Sequence, residues 1–127
     1  MTIIELRQKI RDIDASSFFI KDKRYLHLVP DEILQHNCLH LVKANAKIAD
    51  YLEKEEHQLN TIVEKQRIID EVIPDLIIYA LQFCNSYDLD PEYLINNRLD
   101  YILTKYPDHD EHGHSRNTLD QCDERPV

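Results

Sequence analysis

Glu71-Val72-Ile73-Pro74-Asp75-Leu76-Ile77-Ile78-Tyr79-Ala80-Leu81 places two carboxylates one helical turn apart inside a run that is otherwise apolar enough for burial. Residues four apart on a helix lie one above the other, so Glu71 and Asp75 are expected to share a face. Their apolar neighbours cover most of the remaining circumference. Carboxylates are seldom buried without a partner, because an isolated ion in apolar surroundings costs several kcal/mol. A divalent metal or basic side chains from another helix should therefore face this pair.

Outward from this stretch, the signals are helical. Thr2 and Glu5 have capping-box spacing, and Ile3, Leu6, Ile10 and Ile13 recur at helical intervals, which predicts a helix over 3–14. Residues 15–29 have no clean period and are expected as loop. Within them Lys21-Asp22-Lys23-Arg24 reads as a solvated charged turn, with a phosphate-contacting loop as the alternative. Asp31 is placed to cap a long helix that starts after Pro30 and runs to about Glu56, with Leu34, Cys38, Leu41, Ile48 and Leu52 as its buried face, widened by Leu39, Val42, Ala46 and Ala49. Thr61 and Glu64 predict the cap of a third helix over about 62–86, which Pro74 should kink. Asp90 followed by Pro91 opens a fourth helix. One glycine among 127 residues argues against a fold built on many tight turns, so the expected class is all-α. The expected organisation is one all-α domain over 1–107, with helix and loop in 1–29 and core helices in 30–107, followed by a flexible polar tail over 108–127.

Bulk properties narrow the function classes. A net charge of −9 argues against general affinity for a nucleic-acid backbone, while leaving small phosphorylated ligands open. Early charges in Met1-Thr2-Ile3-Ile4-Glu5-Leu6-Arg7 and the shortness of the apolar run Leu76–Cys84 lead us to expect a cytoplasmic protein without a membrane partner. Three cysteines without CxxC spacing fit the same compartment.

Three groups of side chains carry candidate chemistry. Glu71 and Asp75 are hard oxygen donors suited to Mg²⁺. His36, His40, Lys43 and Lys47 line one flank of the second helix at spacings of four, three and four. His36 and His40 have a spacing able to ligate a metal, although a polar flank is the commoner outcome. In the tail, His109, His112 and His114 among Asp108, Asp110 and Glu111 are a loose chelating cluster.

The run Glu71–Leu81, followed by Tyr87-Asp88-Leu89-Asp90-Pro91-Glu92, Arg98-Leu99 and Lys105-Tyr106-Pro107, resembles the second half of the MazG-like nucleoside triphosphate pyrophosphohydrolases over about residues 30–107. That resemblance implies an all-α bundle completed by oligomerisation, as a homodimer or homotetramer, that cleaves nucleoside triphosphates to monophosphate and pyrophosphate with Mg²⁺. In the family an ExxxD-type pair joins an EExxE motif on the earlier helix. Glu71 and Asp75 match the first; Lys43-Ala44-Asn45-Ala46-Lys47 stands where the three glutamates belong, and Ile102 stands where an asparagine is often found.

Two functions are carried forward. The chain is expected to be a divergent pyrophosphohydrolase of nucleoside triphosphates or related phosphorylated nucleotides. Glu71 and Asp75 would then be the catalytic, metal-holding pair, Asp50 a further ligand of Mg²⁺ or Mn²⁺, and Lys43, Lys47 and His40 would bind the substrate. Alternatively it is a catalytically inactive nucleotide-binding or structural oligomer, in which Lys43 and Lys47 face Glu71 and Asp75 as a salt-bridge cluster.

Overall fold

The computed structural model describes residues 1–17, 19–20, 23–24 and 27–106. Helix α1 spans Ile3–Ser17, and a two-residue antiparallel ladder follows: β1, Phe19–Ile20, pairs with β2, Lys23–Arg24, in the register Phe19 to Arg24 and Ile20 to Lys23. Helix α2 spans Pro30–Glu56, α3 spans Ile62–Arg67, a π turn occupies Ile68–Val72, α4 runs Ile73–Tyr87, and α5 runs Pro91–Lys105. The all-helical class read from sequence is the observed one. Residues Met1–Leu89 form one compact unit and Asp90 begins a second, so α5 is described by itself. The expected tail and its His109, His112 and His114 lie outside the described residues.

Local chemistry explains most helix ends. At α1 the Thr2 and Glu5 side chains each accept from the other's backbone N–H, at 3.0 and 2.7 Å. Helix α2 is capped at Val29, two residues before the expected Asp31: Pro30 fills the first helical position, and Glu32 accepts from the Val29 N–H at 3.0 Å. Its far end closes through Gln58 at φ 59°, with Leu59 N–H donating to Lys54 C=O and Gln58 N–H to Glu55 C=O, a Schellman pattern. The Thr61–Glu64 capping box does not form, because each side chain takes a partner from α2. Thr61 Oγ1 donates to Glu55, and Glu64 receives Lys54 Nζ at 2.7 Å; Asn60 accepts from the Ile62 N–H instead. In α5 the Asp90 side chain accepts from Glu92 N–H at 3.0 Å with Pro91 next, and the Arg98 guanidinium lies 5.1 Å from the Tyr101 ring centroid.

Pro74 produces a π turn rather than a simple kink. In a straight α-helix its ring would press on the Asp70 carbonyl. The backbone instead opens by one residue, and Ile73 N–H donates to Ile68 C=O, five residues back.

Helix α2 and the rod α3–π–α4 form an antiparallel hairpin, with α1 packed on α4. Side-chain pairs fix the register along its length: Lys54 with Glu64, Lys47 with Glu71, His40 with Tyr79, Asn37 with Gln82, and Asp31 with Tyr87. Each step back along α2 is a step forward along its partner. The core-facing row of α2 is Ile33, Asn37 and Ala44, all buried, flanked by the half-buried Leu41, Ile48 and Tyr51. The face expected from periodicity is displaced: Leu34, Cys38 and Leu52 are exposed, as are Leu39, Val42, Ala46 and Ala49. Apolar residues occupy two sides of this helix, and spacing alone does not say which faces inward.

Among the described residues the buried apolar side chains are Ile10, Ile33, Ala44, Val72 and Leu81. By contrast, exposed apolar residues run along both long elements: Leu39 and Val42 on α2, and Ile69, Ile73 and Ile77 at four-residue intervals on the rod.

Candidate functional site

The face singled out by sequence is only partly assembled. Lys47 Nζ lies 3.4 Å from Glu71 Oε1, and the two side chains are 33% and 55% exposed. The expected buried cluster is thus a single open ion pair, of a kind that contributes at most about 1 kcal/mol. The π turn carries Glu71 to the solvent side of the rod, which is why its carboxylate does not need a metal or a cluster of lysines to be tolerated. Lys43 is exposed and Asp75 half-buried. Burial, and secondarily the Asp75 charge, push the Tyr79 hydroxyl above its ordinary pKa, so Asp75 projects its field toward α2 near His40. Asp50 is engaged elsewhere, 3.4 Å from Lys54 Nζ one turn along its own helix. Lys54 is held protonated chiefly by its hydrogen bond to Glu64, whose own pKa it lowers in return.

This donor set does not fit a multi-metal centre. Among the described residues no three His, Cys, Asp or Glu side chains converge, and Asp50, Glu71 and Asp75 are not brought together. An ammonium group stands against Glu71 where a cluster of carboxylates would be needed.

A second polar assembly escaped sequence reading. Asn37, 1% exposed, donates through Nδ2 to Gln82 Oε1 at 2.9 Å, and Gln82 Nε2 donates to Asp14 Oδ1 at 3.0 Å. Three buried polar side chains thereby tie α1, α2 and α4 together. One turn on, Arg7 Nε donates to Asn85 Oδ1 at 2.8 Å, joining the same two outer partners α1 and α4. The signal for this seam was the interruption of the apolar row Ile33, Leu41, Ala44, Ile48 by Asn37, and of Ile78, Leu81 by Gln82. Polar residues at core positions need each other, but one strand of sequence does not say which pairs meet.

Beside the seam is a cleft of about 190 Å³, lined among the described residues by Arg11, Asp14, Leu28, Ile33, Gln82, Asn85 and Ser86. It is smaller than pockets that enclose nucleotide-sized ligands, and the Asp14 carboxylate would repel a phosphate.

Burial raises the Asp14 pKa, partly opposed by the hydrogen bond from Gln82. The folded chain therefore holds this proton more tightly than the unfolded one. Stability should fall as pH rises from the ordinary aspartate range through the raised folded value, and the cost is fully present above it. Asp14→Asn keeps an oxygen to accept from Gln82 and removes the charge. We expect it to exceed the wild type in denaturant midpoint at about pH 7 and to lose that advantage near pH 3.5. An equal advantage at both would mean that the Asp14 charge is not its source.

Comparison with family models, curated proteins and solved structures finds no match to this chain. Among the described residues no helix is long and apolar enough to cross a membrane.

Proposed function

We propose that the chain is a MazG-like helical module, completed by a second copy of itself, that binds a small phosphorylated ligand such as a nucleotide through Lys43 and Lys47 without the pyrophosphohydrolase metal centre. The observation that carries this reading is the position of Lys47 Nζ, 3.4 Å from Glu71, where the family's chemistry would require further carboxylates. Lys43 and Lys47 are one turn apart on α2, so both ammonium groups can reach oxygens of one phosphate chain. His40, one turn before Lys43 on the same flank, can add a hydrogen bond. The partner copy is supported by the exposed row Leu39, Val42, Ala46 and Ala49, spaced three, four and three, which is the seam of a helix that packs on another helix; its alanines permit close approach.

A divergent pyrophosphohydrolase is the second reading. Its support is the π turn, a backbone irregularity that recurs at functional sites, which contains Glu71 and ends three residues before Asp75. One experiment separates the two. Purified full-length chain is titrated calorimetrically with ribo- and deoxynucleoside triphosphates, and pyrophosphate release is followed with and without Mg²⁺ or Mn²⁺. We expect binding without turnover, weakened about tenfold or more in the Lys43→Ala, Lys47→Ala double variant. Metal-dependent pyrophosphate release would overturn the non-catalytic reading. Absence of binding by every nucleotide would remove the ligand and leave a structural oligomer.

A further inference from the structure

His36 and His40 are half-buried on one flank of α2, and their Nε2 atoms converge to 2.9 Å, with ring centroids 4.5 Å apart and planes at 66°. In the metal-free chain one Nε2–H donates to the other Nε2. An ion bonded to both at about 2.1 Å would subtend an N–metal–N angle of about 90°, whereas a tetrahedral ion would need nitrogens about 3.4 Å apart. The closer spacing matches cis positions of a tetragonal ion, the geometry of Cu²⁺ and Ni²⁺ with nitrogen donors.

The surroundings favour this use of the pair. His40 sits beside Tyr79, with ring centroids 5.5 Å apart, so the pair lies against the partner helix of the hairpin. The exposed thiol of Cys38 is two residues from each histidine, turned to another side of the helix.

We propose that His36 and His40 form a two-imidazole chelate for a divalent transition-metal ion of the Ni²⁺ and Cu²⁺ class, with water in the remaining positions. The ion takes both Nε2 lone pairs, and both rings carry their proton on Nδ1. This site is separate from the carboxylates Glu71 and Asp75 and uses a softer donor type.

Calorimetric titration with Ni²⁺ tests it in the full-length chain carrying H109A, H112A and H114A, which removes the tail histidines as competing chelators. We expect uptake of one Ni²⁺ per chain, with affinity reduced at least about tenfold by His40→Gln. His36→Gln should do the same while leaving His40 beside Tyr79, so it carries the test if the first variant loses helical circular dichroism. No Ni²⁺ uptake by the tail-substituted chain, or uptake that a folded His36→Gln variant retains in full, would overturn the proposal.

Discussion

Gln82→Ala should destabilise the Met1–Leu89 unit by about 2–4 kcal/mol, the largest effect we expect from any single truncation of a polar side chain in it. Gln82 is 8% exposed and is the middle member of a chain of donors and acceptors: it accepts from Asn37 and donates to Asp14. Its removal takes a bond from two buried groups at once and leaves a void between three helices. Such a loss is a large part of the roughly 5–15 kcal/mol that holds an ordinary domain together. Among the described residues the buried apolar side chains that would compensate are Ile10, Ile33, Ala44, Val72 and Leu81. Denaturant unfolding followed by far-UV circular dichroism measures the change. A cost below about 0.5 kcal/mol, the range of ordinary surface substitutions, would mean that the seam does not hold the helices together.

On the proposal that a second copy covers the exposed row of α2, Val42→Glu should leave the chain monomeric. Val42 is 60% exposed in the single chain and stands in the row Leu39, Val42, Ala46 and Ala49. If a second copy covers that row, the new carboxylate is buried without a partner at a cost of several kcal/mol, and each 1.4 kcal/mol is a factor of ten in the association constant. Association should therefore weaken about a hundredfold or more. Sedimentation velocity on wild type and variant reads this directly. A wild-type chain that stays monomeric at tens of micromolar would remove the partner copy from our reading.

Those two variants also mark where sequence was readable and where it was not. Signals confined to a few adjacent residues mostly translated well: the Thr2–Glu5 capping box, Pro91 at a first helical position and Asp90 as a cap are found in place, whereas the cap expected at Asp31 falls at Val29. Signals that depend on a choice between faces did not. Helix α2 has apolar residues on two sides, and the polar Asn37 turned out to occupy the inner one because Gln82 meets it there. Thr61 and Glu64 had the spacing of a cap, yet Glu55 and Lys54 on the preceding helix compete for both side chains. Within the candidate site, the Lys47–Glu71 approach is part of the expected facing of Lys43 and Lys47 with Glu71 and Asp75. Its exposure did not follow, since it depends on how Pro74 widens the backbone. The pairing of Asp50 with Lys54 is a four-residue contact and was open to view in the sequence.

The π turn at Ile68–Val72 has one more consequence, for how this rod is indexed. An α-helix advances by a fixed angle per residue, so one additional residue rotates everything beyond it by about 100° relative to a straight continuation. Residues before the turn, such as Glu64, and residues after it, such as Tyr79 and Gln82, all meet α2 even though they straddle that offset. The turn is therefore a phase shifter: Pro74 sets the azimuth at which α4 presents Gln82 to Asn37. A chain one residue shorter across Ile68–Val72 would keep its helices and carry Gln82 round to another bearing.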